Sequence, residues 1–385
     1  MSDFFQLVPR IHYGAGAAVA AGPALRELGV RQPLVVCDPG VVSAGACDPV
    51  LASLKDAGIA YTLFTDVRTN PSERNVHAAA TAYADAECDG MVGVGGGSAM
   101  DVAKSAVTVL AGGGDIAEYE DGARVVTGPY PPLLLAPTTA GTGSEAVAGA
   151  IITDSRRVFK MHIVAVPAHV AICDPELTHS LPAGPTAASG IDALAHAIGA
   201  YVSVERQPLA DGMALYAIST IVRALPRVVA DGGDRAARAD MMVGSLSAGI
   251  SMKGGGAVDH AFAHAVNAIF DVHHGAGVAM FLADGMEFNL PHLPERFADI
   301  ARALGVTAVE SDPARLGLAG IGVVRRLVAD LPLPRPADAG ITARHVPELT
   351  AKVLSDGFHL GLNPVPLGAA DAERILRTVI QRETR

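Results

Sequence analysis

The chain has 385 residues, 50% of them hydrophobic and 18% charged, which allows two domains with substantial cores and excludes a disordered polymer. A net charge of −11, with no basic run and no basic patch interleaved with aromatics, excludes nucleic acid and anionic membrane as expected partners. Its 4 cysteines are widely spaced and form no CxxC pair, the pattern of reduced thiols rather than of a disulfide frame or zinc knuckle.

The opening segment MSDFFQLVPRIHYG lacks the basic start and apolar core of a signal peptide. The mildly apolar stretches are broken by Asp101, Lys104 and Asp154, so no run of about 18 apolar residues is expected. These features predict a soluble cytoplasmic protein.

In chain order, PLVVCD (33–38) reads as a strand ending in an acidic turn. DPVLASLKDAG (48–58) and ERNVHAAATAYADA (73–86) have helical spacing. GMVGVGGG (90–97) is a strand running into glycines, and PPLLLAPTTAGTGSE (131–145) is an apolar run breaking into small and hydroxyl residues. Strands alternating with helices predict a parallel sheet covered on both faces. After Pro182 the pattern becomes helical: 186–204, 208–225, 235–251, 296–305 and 314–331 all carry helical spacing. PLPRPADAG (332–340) reads as a loop between helices. The chain is therefore expected to join an α/β dinucleotide-binding domain (1–180) to an all-helical metal-binding and substrate domain (181–385), with the boundary in DPELTHSLPAGP (174–185).

GVGGGSAMDVAK (93–104) sets Gly95, Gly96 and Gly97 between a strand and a helix opening at Ser98. Glycines let the backbone approach a ligand closely, and the free N–H groups of a helix start favour phosphate. The motif departs from G-x-G-x-x-G, because Ser98 stands at the third glycine. On this motif alone a second reading remains open: a tight turn with Ser98 as N-cap and Asp101 closing a capping box. APTTAGTGSE (136–145) supplies another cluster of small and hydroxyl residues, and if both strand ends meet at the carboxyl edge of the sheet they would cradle a dinucleotide. Asp38, also at a strand end, is placed to accept from an adenosine ribose hydroxyl and so to disfavour a 2′-phosphate. It precedes the glycine turn rather than following it by about 20 residues, so a standard Rossmann arrangement is not expected.

In the helical half, GIDALAHAIG places Asp192 and His196 four apart on one face. DHAFAHAVNAIFDVHHG (259–275) holds His260 and His264, again four apart, followed by His273 and His274. One carboxylate with imidazoles suits Fe(II) or Zn(II). A single such pair is also consistent with an ordinary helix-face interaction, and spacing leaves open which of His264, His273 and His274 would be a ligand. No cysteine lies near these residues, and the HExxH pattern is absent.

Taken in order, YGAG (13–16), NPSERNV (70–76), GGGSAMDVAK (95–104), PTTAGTGSE (137–145), DPELTHSLP (174–182), GIDALAHAIGAYVS (190–203) and HAFAHAVNAIFDVHHG (260–275) make the chain resemble the iron-dependent, group III alcohol dehydrogenases, whose fold is like that of dehydroquinate synthase. The resemblance spans nearly the whole chain. It implies that Asp192, His196, His260 and His274 ligate a divalent metal, Fe(II) or else Zn(II), that His264 sits beside the nicotinamide as a proton relay, and that His273 is structural. It further implies that Gly95, Gly96, Gly97 and Ser98 hold the pyrophosphate, that Thr138, Thr139 and Thr142 lie along the cofactor, and that Asp38 favours NAD over NADP. Asp101 and Lys160 complete the expected cofactor set. The implied reaction is hydride transfer between a primary or secondary alcohol and NAD by a homodimer or higher homo-oligomer.

The sequence departs from the family pattern at Gly149, Ser251, Lys253 and Gly256, where bulkier or amide residues are common, and at Ala283 and Val365. If the first four line the substrate side, the pocket is roomier and more polar than for simple alkanols, and Lys253 and Lys160 could pair with an anionic substrate. Lys253 reaching solvent from a glycine-rich turn is the other reading. A reductase or transhydrogenase for a hydroxy acid or another anionic, maleylacetate-like carbonyl compound is therefore the alternative. A dehydroquinate-synthase-like lyase is disfavoured, because its metal site uses a Glu and two His.

Overall fold

The computed structural model describes residues 7–252, 257–270, 272–307 and 310–382. The chain divides into two compact units, Phe5–Leu181 with Gly232–Leu246, and Pro182–Asp231 with Ser247–Arg385.

The first unit carries strands β1 (Arg10–Tyr13), β2 (Pro33–Cys37), β3 (Thr62–Phe64), β4 (Gly90–Gly95), β5 (Leu133–Pro137), β6 (Gly149–Asp154), β7 (Phe159–Val164) and β8 (Val170–Cys173). Six form one sheet in the order β1-β8-β5-β4-β2-β3, with every pairing parallel, as expected. Strands β2, β4, β5 and β8 are buried along their whole length, which is why they read as continuous apolar runs rather than alternating ones. The two-residue period still decides the faces. Leu34, Val36, Met91, Leu133 and Leu135 join one core, while Val35, Cys37, Val92, Val94, Leu134 and Ala136 join the other.

Helices α1 (Ala21–Glu27) and α3 (Asp48–Asp56) cover the second of these faces with Leu25, Val50 and Leu54, with the short α2 (Pro39–Ser43) between them in the chain. Helices α4 (Glu73–Asp85) and α5 (Gly97–Gly112) cover the first, burying Val76, Met100, Val102 and Val107. Each such side chain contributes about 1.5–3 kcal/mol by leaving water. Strands β6 and β7 form a separate antiparallel hairpin whose Ile152, Met161 and Ile163 pack into that same core.

The order of the strands fixes where a ligand can sit. The chain steps outward from β2 to β3, then returns to lay β4 on the other side of β2 before continuing to β5 and β8. Such a reversal opens a crevice at the carboxyl ends of the two strands concerned. Here those ends are Cys37 and Gly95, next to Asp38 and the glycine turn.

The second unit is helical among its described residues: α6 (Ala183–Val202), α7 (Pro208–Ala230), the end of α8 (Arg235–Ser251), α9 (Val258–Phe270), α10 (His274–Asn289), α11 (Pro294–Ala303), α12 (Pro313–Asp330), α13 (Val346–Ser355), α14 (Gly357–Leu362) and α15 (Ala369–Arg382). No strand lies beyond Cys173 among the described residues. From Thr186 to Val202 every residue of α6 is buried, the mark of a central helix surrounded by others. Phe262, Phe281, Leu349, Val353, Ile375 and Val379 bind α9, α10, α13 and α15 into one core. Helix α7 is long and apolar enough, by length and composition, to cross a membrane. It packs one face against α6 and α11, with Ala214, Ile218, Ile221 and Leu225 buried, while Leu209, Met213 and Tyr216 are exposed and Asp211, Arg223 and Arg227 interrupt the apolar run.

Candidate functional site

Two groups of functional side chains stand out, one in each unit. In the helical unit, α6 presents Asp192 and His196 one turn apart, α9 presents His260, and His274 is the first residue of α10. The Asp192 Oδ1 atom lies 3.8 Å from His196 Nε2, 3.6 Å from His260 Nε2 and 3.4 Å from His274 Nε2. The four offered ligand atoms all lie within 4.8 Å of one another.

These separations are longer than hydrogen bonds of normal geometry. Asp192 Oδ1 and His260 Nε2 are buried with no hydrogen-bond partner. Leaving a buried carboxylate oxygen unpaired costs about 1–3 kcal/mol or more, and a cation placed among these atoms removes that cost. A set of one carboxylate and three imidazoles fits Fe(II) or Zn(II). Electrostatics follow the same geometry. Burial works against the Asp192 charge, yet His196, His274 and His260 hold its carboxyl well below the usual carboxylate range. Burial likewise opposes charge on His260, but Asp259 and Asp192 push its pKa up to about 10.

The rings are aimed from behind. His260 Nδ1 sits 2.9 Å from Asp259 Oδ2, so it donates there and turns Nε2 toward Asp192. Asn267 Nδ2 donates to the Val272 carbonyl at 2.7 Å, tying α9 to the turn that delivers His274. His273 is exposed and caps α10 through its backbone, its carbonyl accepting from the N–H groups of Ala276 and Gly277. Spacing left the choice among His264, His273 and His274 open, and the fold brings His274 to Asp192 while His264 pairs with Asp356.

In the sheet unit, Gly95 pairs in register with Pro137, and Thr138 N–H donates to the Gly95 carbonyl at 2.9 Å. The glycine turn and the threonine loop are therefore neighbours at the carboxyl edge, the condition that the sequence reading set for a dinucleotide cradle. Gly95 has φ +155°, and a β-carbon on it would meet Ala99 Cβ at 2.7 Å. A β-carbon on Gly97 would meet Thr142 Cγ2 at 2.7 Å, and one on Gly96 would meet Thr139 Cγ2 at 3.3 Å. The turn needs glycine for space as well as for conformation. Asp38 caps α2 by accepting from Val41 N–H at 3.0 Å through Oδ1, while Oδ2 lies on the Gly95 side.

The capping-box reading of the turn is overturned. Helix α5 begins at Gly97, its cap is Gly96, and no side chain caps it. Ser98 lies inside the first turn. Asp101 faces away from the cap: Oδ1 accepts from Ser144 Oγ at 2.6 Å and lies 3.2 Å from Lys104 Nζ, while Oδ2 accepts from Ile151 N–H at 3.0 Å. Lys104 is fully buried and donates to the carbonyls of Ser144, Val147 and Gly149. This carboxylate–ammonium pair braces the loop after Thr142, so Asp101 is engaged with that loop and with β6 rather than with the glycine turn.

A scan against protein families matches residues 9–175 to the iron-containing alcohol dehydrogenase family and residues 186–380 to the C-terminal domain of the Fe-containing alcohol dehydrogenase family. The chain belongs to the iron-containing alcohol dehydrogenases.

Among curated relatives, the chain is 38% identical to the choline dehydrogenase of Bacillus subtilis (strain 168) over 94% of this chain and 90% of that protein. It is 33% identical to the NAD-dependent methanol dehydrogenase of Bacillus methanolicus over 99% and 100% of the two chains. Among solved structures, a 1,3-propanediol oxidoreductase superposes with a TM-score of 0.92 at 32% identity, covering 98% of this chain and 100% of that one.

Within this iron-containing alcohol dehydrogenase, three further expected residues have other contacts. Lys160 on β7 donates to Asn70 Oδ1 at 2.8 Å and Thr153 Oγ1 at 3.0 Å. The Ser251 hydroxyl donates to the Ala248 carbonyl of its own helix at 2.7 Å. Gly149 opens β6, where a β-carbon would approach His162 Nε2 to 3.2 Å. Lys253 and Gly256 lie outside the described residues.

A second buried cluster was not anticipated. His264 Nδ1 lies 3.0 Å from Asp356 Oδ2, and His359 Nδ1 lies 3.0 Å from each oxygen of the same carboxylate. Its only sequence trace is an Asp and a His three apart in SDGFHL (355–360), far from every other motif. Burial, with the nearby His359, lowers the His264 pKa to about 4, so the ring is neutral at neutral pH. Burial opposes the charge on Asp356, but His359 and His264 hold that carboxyl well below the usual range.

Proposed function

We propose that the chain is a cytoplasmic, NAD-dependent, Fe(II)-type alcohol dehydrogenase that interconverts a small alcohol and its aldehyde or ketone. The observation that supports this most directly is the orphaned Asp192 Oδ1 among three imidazole nitrogens. Asp192, His196, His260 and His274 would hold the divalent ion, Fe(II) or alternatively Zn(II). When bound, the ion supplies Lewis acidity toward an alcohol or carbonyl oxygen, and NAD supplies the hydride acceptor.

The remaining work belongs to the chain. The N–H groups of Gly96, Gly97 and Ser98 at the start of α5 would bind pyrophosphate. Thr138, Thr139 and Thr142 would line the adjoining loop, and the Asp38 carboxylate would accept from a ribose hydroxyl, leaving no place for a 2′-phosphate. His264, neutral and buried, would take up the alcohol proton at Nε2. Lys160 donates to Asn70 Oδ1 and Thr153 Oγ1, two neutral acceptors, and an anionic substrate stays within the panel to be tested.

Relatives named for choline, methanol and 1,3-propanediol support a primary alcohol as the first substrate class to test. A homodimer or larger homo-oligomer remains part of the proposal, and sedimentation velocity tests it. For the reaction, metal-stripped protein is assayed anaerobically for NAD reduction with a panel of neutral and anionic alcohols, with Fe(II) and Zn(II) restored separately. Metal-restored turnover is expected. Tight NAD binding without turnover under either metal would overturn the proposal.

A further inference from the structure

A buried carboxylate that serves two imidazoles at once is a device for fixing how those rings point. Asp356 caps α14, with Oδ1 accepting from the backbone N–H of His359 at 3.1 Å. Its two oxygens also take the ring nitrogens of His264 and His359, all at 3.0 Å. The three residues are buried, and the His264 and His359 rings meet edge to face with centroids 4.6 Å apart. Nothing in the metal set or the cofactor cradle accounts for this arrangement.

We propose that Asp356 and His359 are positioning residues that lock His264 into one tautomer and one ring orientation. The inference rests on the reading of His264 as the proton acceptor. An ionised carboxylate only accepts hydrogen bonds, so the His264 nitrogen facing it, Nδ1, carries the proton. In the neutral ring the lone pair is then confined to Nε2, the far side from Asp356. Without Asp356, the other tautomer would place an N–H, and a flipped ring a C–H, where a proton must be received. His359 contributes by donating to the same carboxylate through both its ring and its backbone, which holds the carboxylate still. Three donors also make Asp356 a poor base. It orients His264 and stabilises the imidazolium formed on proton uptake, without taking the proton itself.

The test uses the full-length, metal-loaded enzyme and three variants. Asp356→Asn keeps a side chain suited to capping α14 but replaces one acceptor oxygen with a donor. It is expected to lower kcat for alcohol oxidation by roughly 100-fold, with bound metal per chain and the Kd for NAD unchanged. In Zn(II)-loaded protein, 15N NMR of the histidine rings should show His264 as a single Nδ1–H tautomer in the parent and as a mixture, or the Nε2–H form, in the variant. His359→Asn retains a donor near the Nδ1 position and should keep kcat within about threefold, whereas His359→Leu should lose about tenfold.

If His264→Ala abolishes turnover while Asp356→Asn and His359→Leu keep kcat within about threefold, the positioning role is overturned and the reading of His264 stands. If His264→Ala itself retains kcat, that reading fails and takes the inference with it. Should Asp356→Asn lose its metal, the His359 pair decides, and equal kcat for His359→Asn and His359→Leu would overturn the inference.

Discussion

Gly275 lies so close to Ala188 that a β-carbon on it would sit 2.0 Å from the Ala188 carbonyl oxygen and 3.2 Å from Asp192 Cβ. The absent side chain is what lets the first turn of α10 press against the backbone of α6, and so brings His274 to Asp192. Backbone cannot step aside as a side chain can. Gly275→Ala should therefore push α10 away, costing about 1–3 kcal/mol of stability and lowering metal affinity by roughly tenfold or more. Metal per chain after dialysis and the thermal midpoint report both effects. Gly212→Ala is the control, because a β-carbon there meets nothing within 4 Å and the position lies within α7, in its second turn. It should stabilise slightly, and a similar metal loss in that variant would remove Gly275 from the argument.

Gly97 makes the corresponding point for the cofactor cradle. A β-carbon there meets the Thr142 methyl at 2.7 Å, where the turn and the threonine loop come together. Gly97→Ala should raise the Kd for NAD by roughly tenfold or more while leaving the metal content of the helical unit untouched. Fluorescence titration with NADH and metal analysis separate the two. An unchanged Kd would show that the coenzyme phosphates do not lie on this turn.

The two sites were legible in the sequence to different depths, and the reason is the distance over which each is assembled. Asp192 with His196, and the glycines after β4, sit within single elements, where a helical or strand period places them. His274 could not be singled out by spacing, because it opens the next helix and reaches Asp192 through the contact at Gly275. Asp356 and His359 left only a three-residue interval, from the cap of a six-residue helix to its third residue, and their pairing with His264 depends on packing alone. In the fold, β2, β4 and β5 were readable because burial on both faces makes them uninterrupted apolar runs. The hairpin β6–β7 was not, because its short apolar stretches are separated by the polar run Thr153, Asp154, Ser155, Arg156 and Arg157 at the end of β6 and in the turn. The capping box at Ser98 failed because local pattern cannot show that Asp101 has better partners in Ser144 and Ile151.

Coenzyme choice should follow from Asp38. Its carboxylate lies at the strand reversal beside Gly95, and like charges a few ångströms apart repel by about 1–4 kcal/mol at partly solvated sites. Asp38→Ala should raise the ratio of kcat/KM for NADP over NAD by roughly tenfold or more. Parallel steady-state assays with the two coenzymes measure it. A ratio that does not move would place the adenosine ribose elsewhere.

Glu145 closes the loop that Lys104 braces, and burial pushes its pKa up to about 7 even though Lys104 acts in the opposite direction. The folded value thus lies above the unfolded value of about 4.5, and the folded state holds the proton more tightly. Its contribution to stability is then fully present below about pH 4.5 and is lost as the pH rises through about 7. Glu145→Gln stays neutral throughout, so it should flatten the fall in stability across that window, by on the order of 1–3 kcal/mol. Urea midpoints at several pH values between those limits measure the slope for parent and variant. Parallel slopes would mean that the carboxyl is already ionised at the acid end, with the Lys104 ammonium compensating its burial.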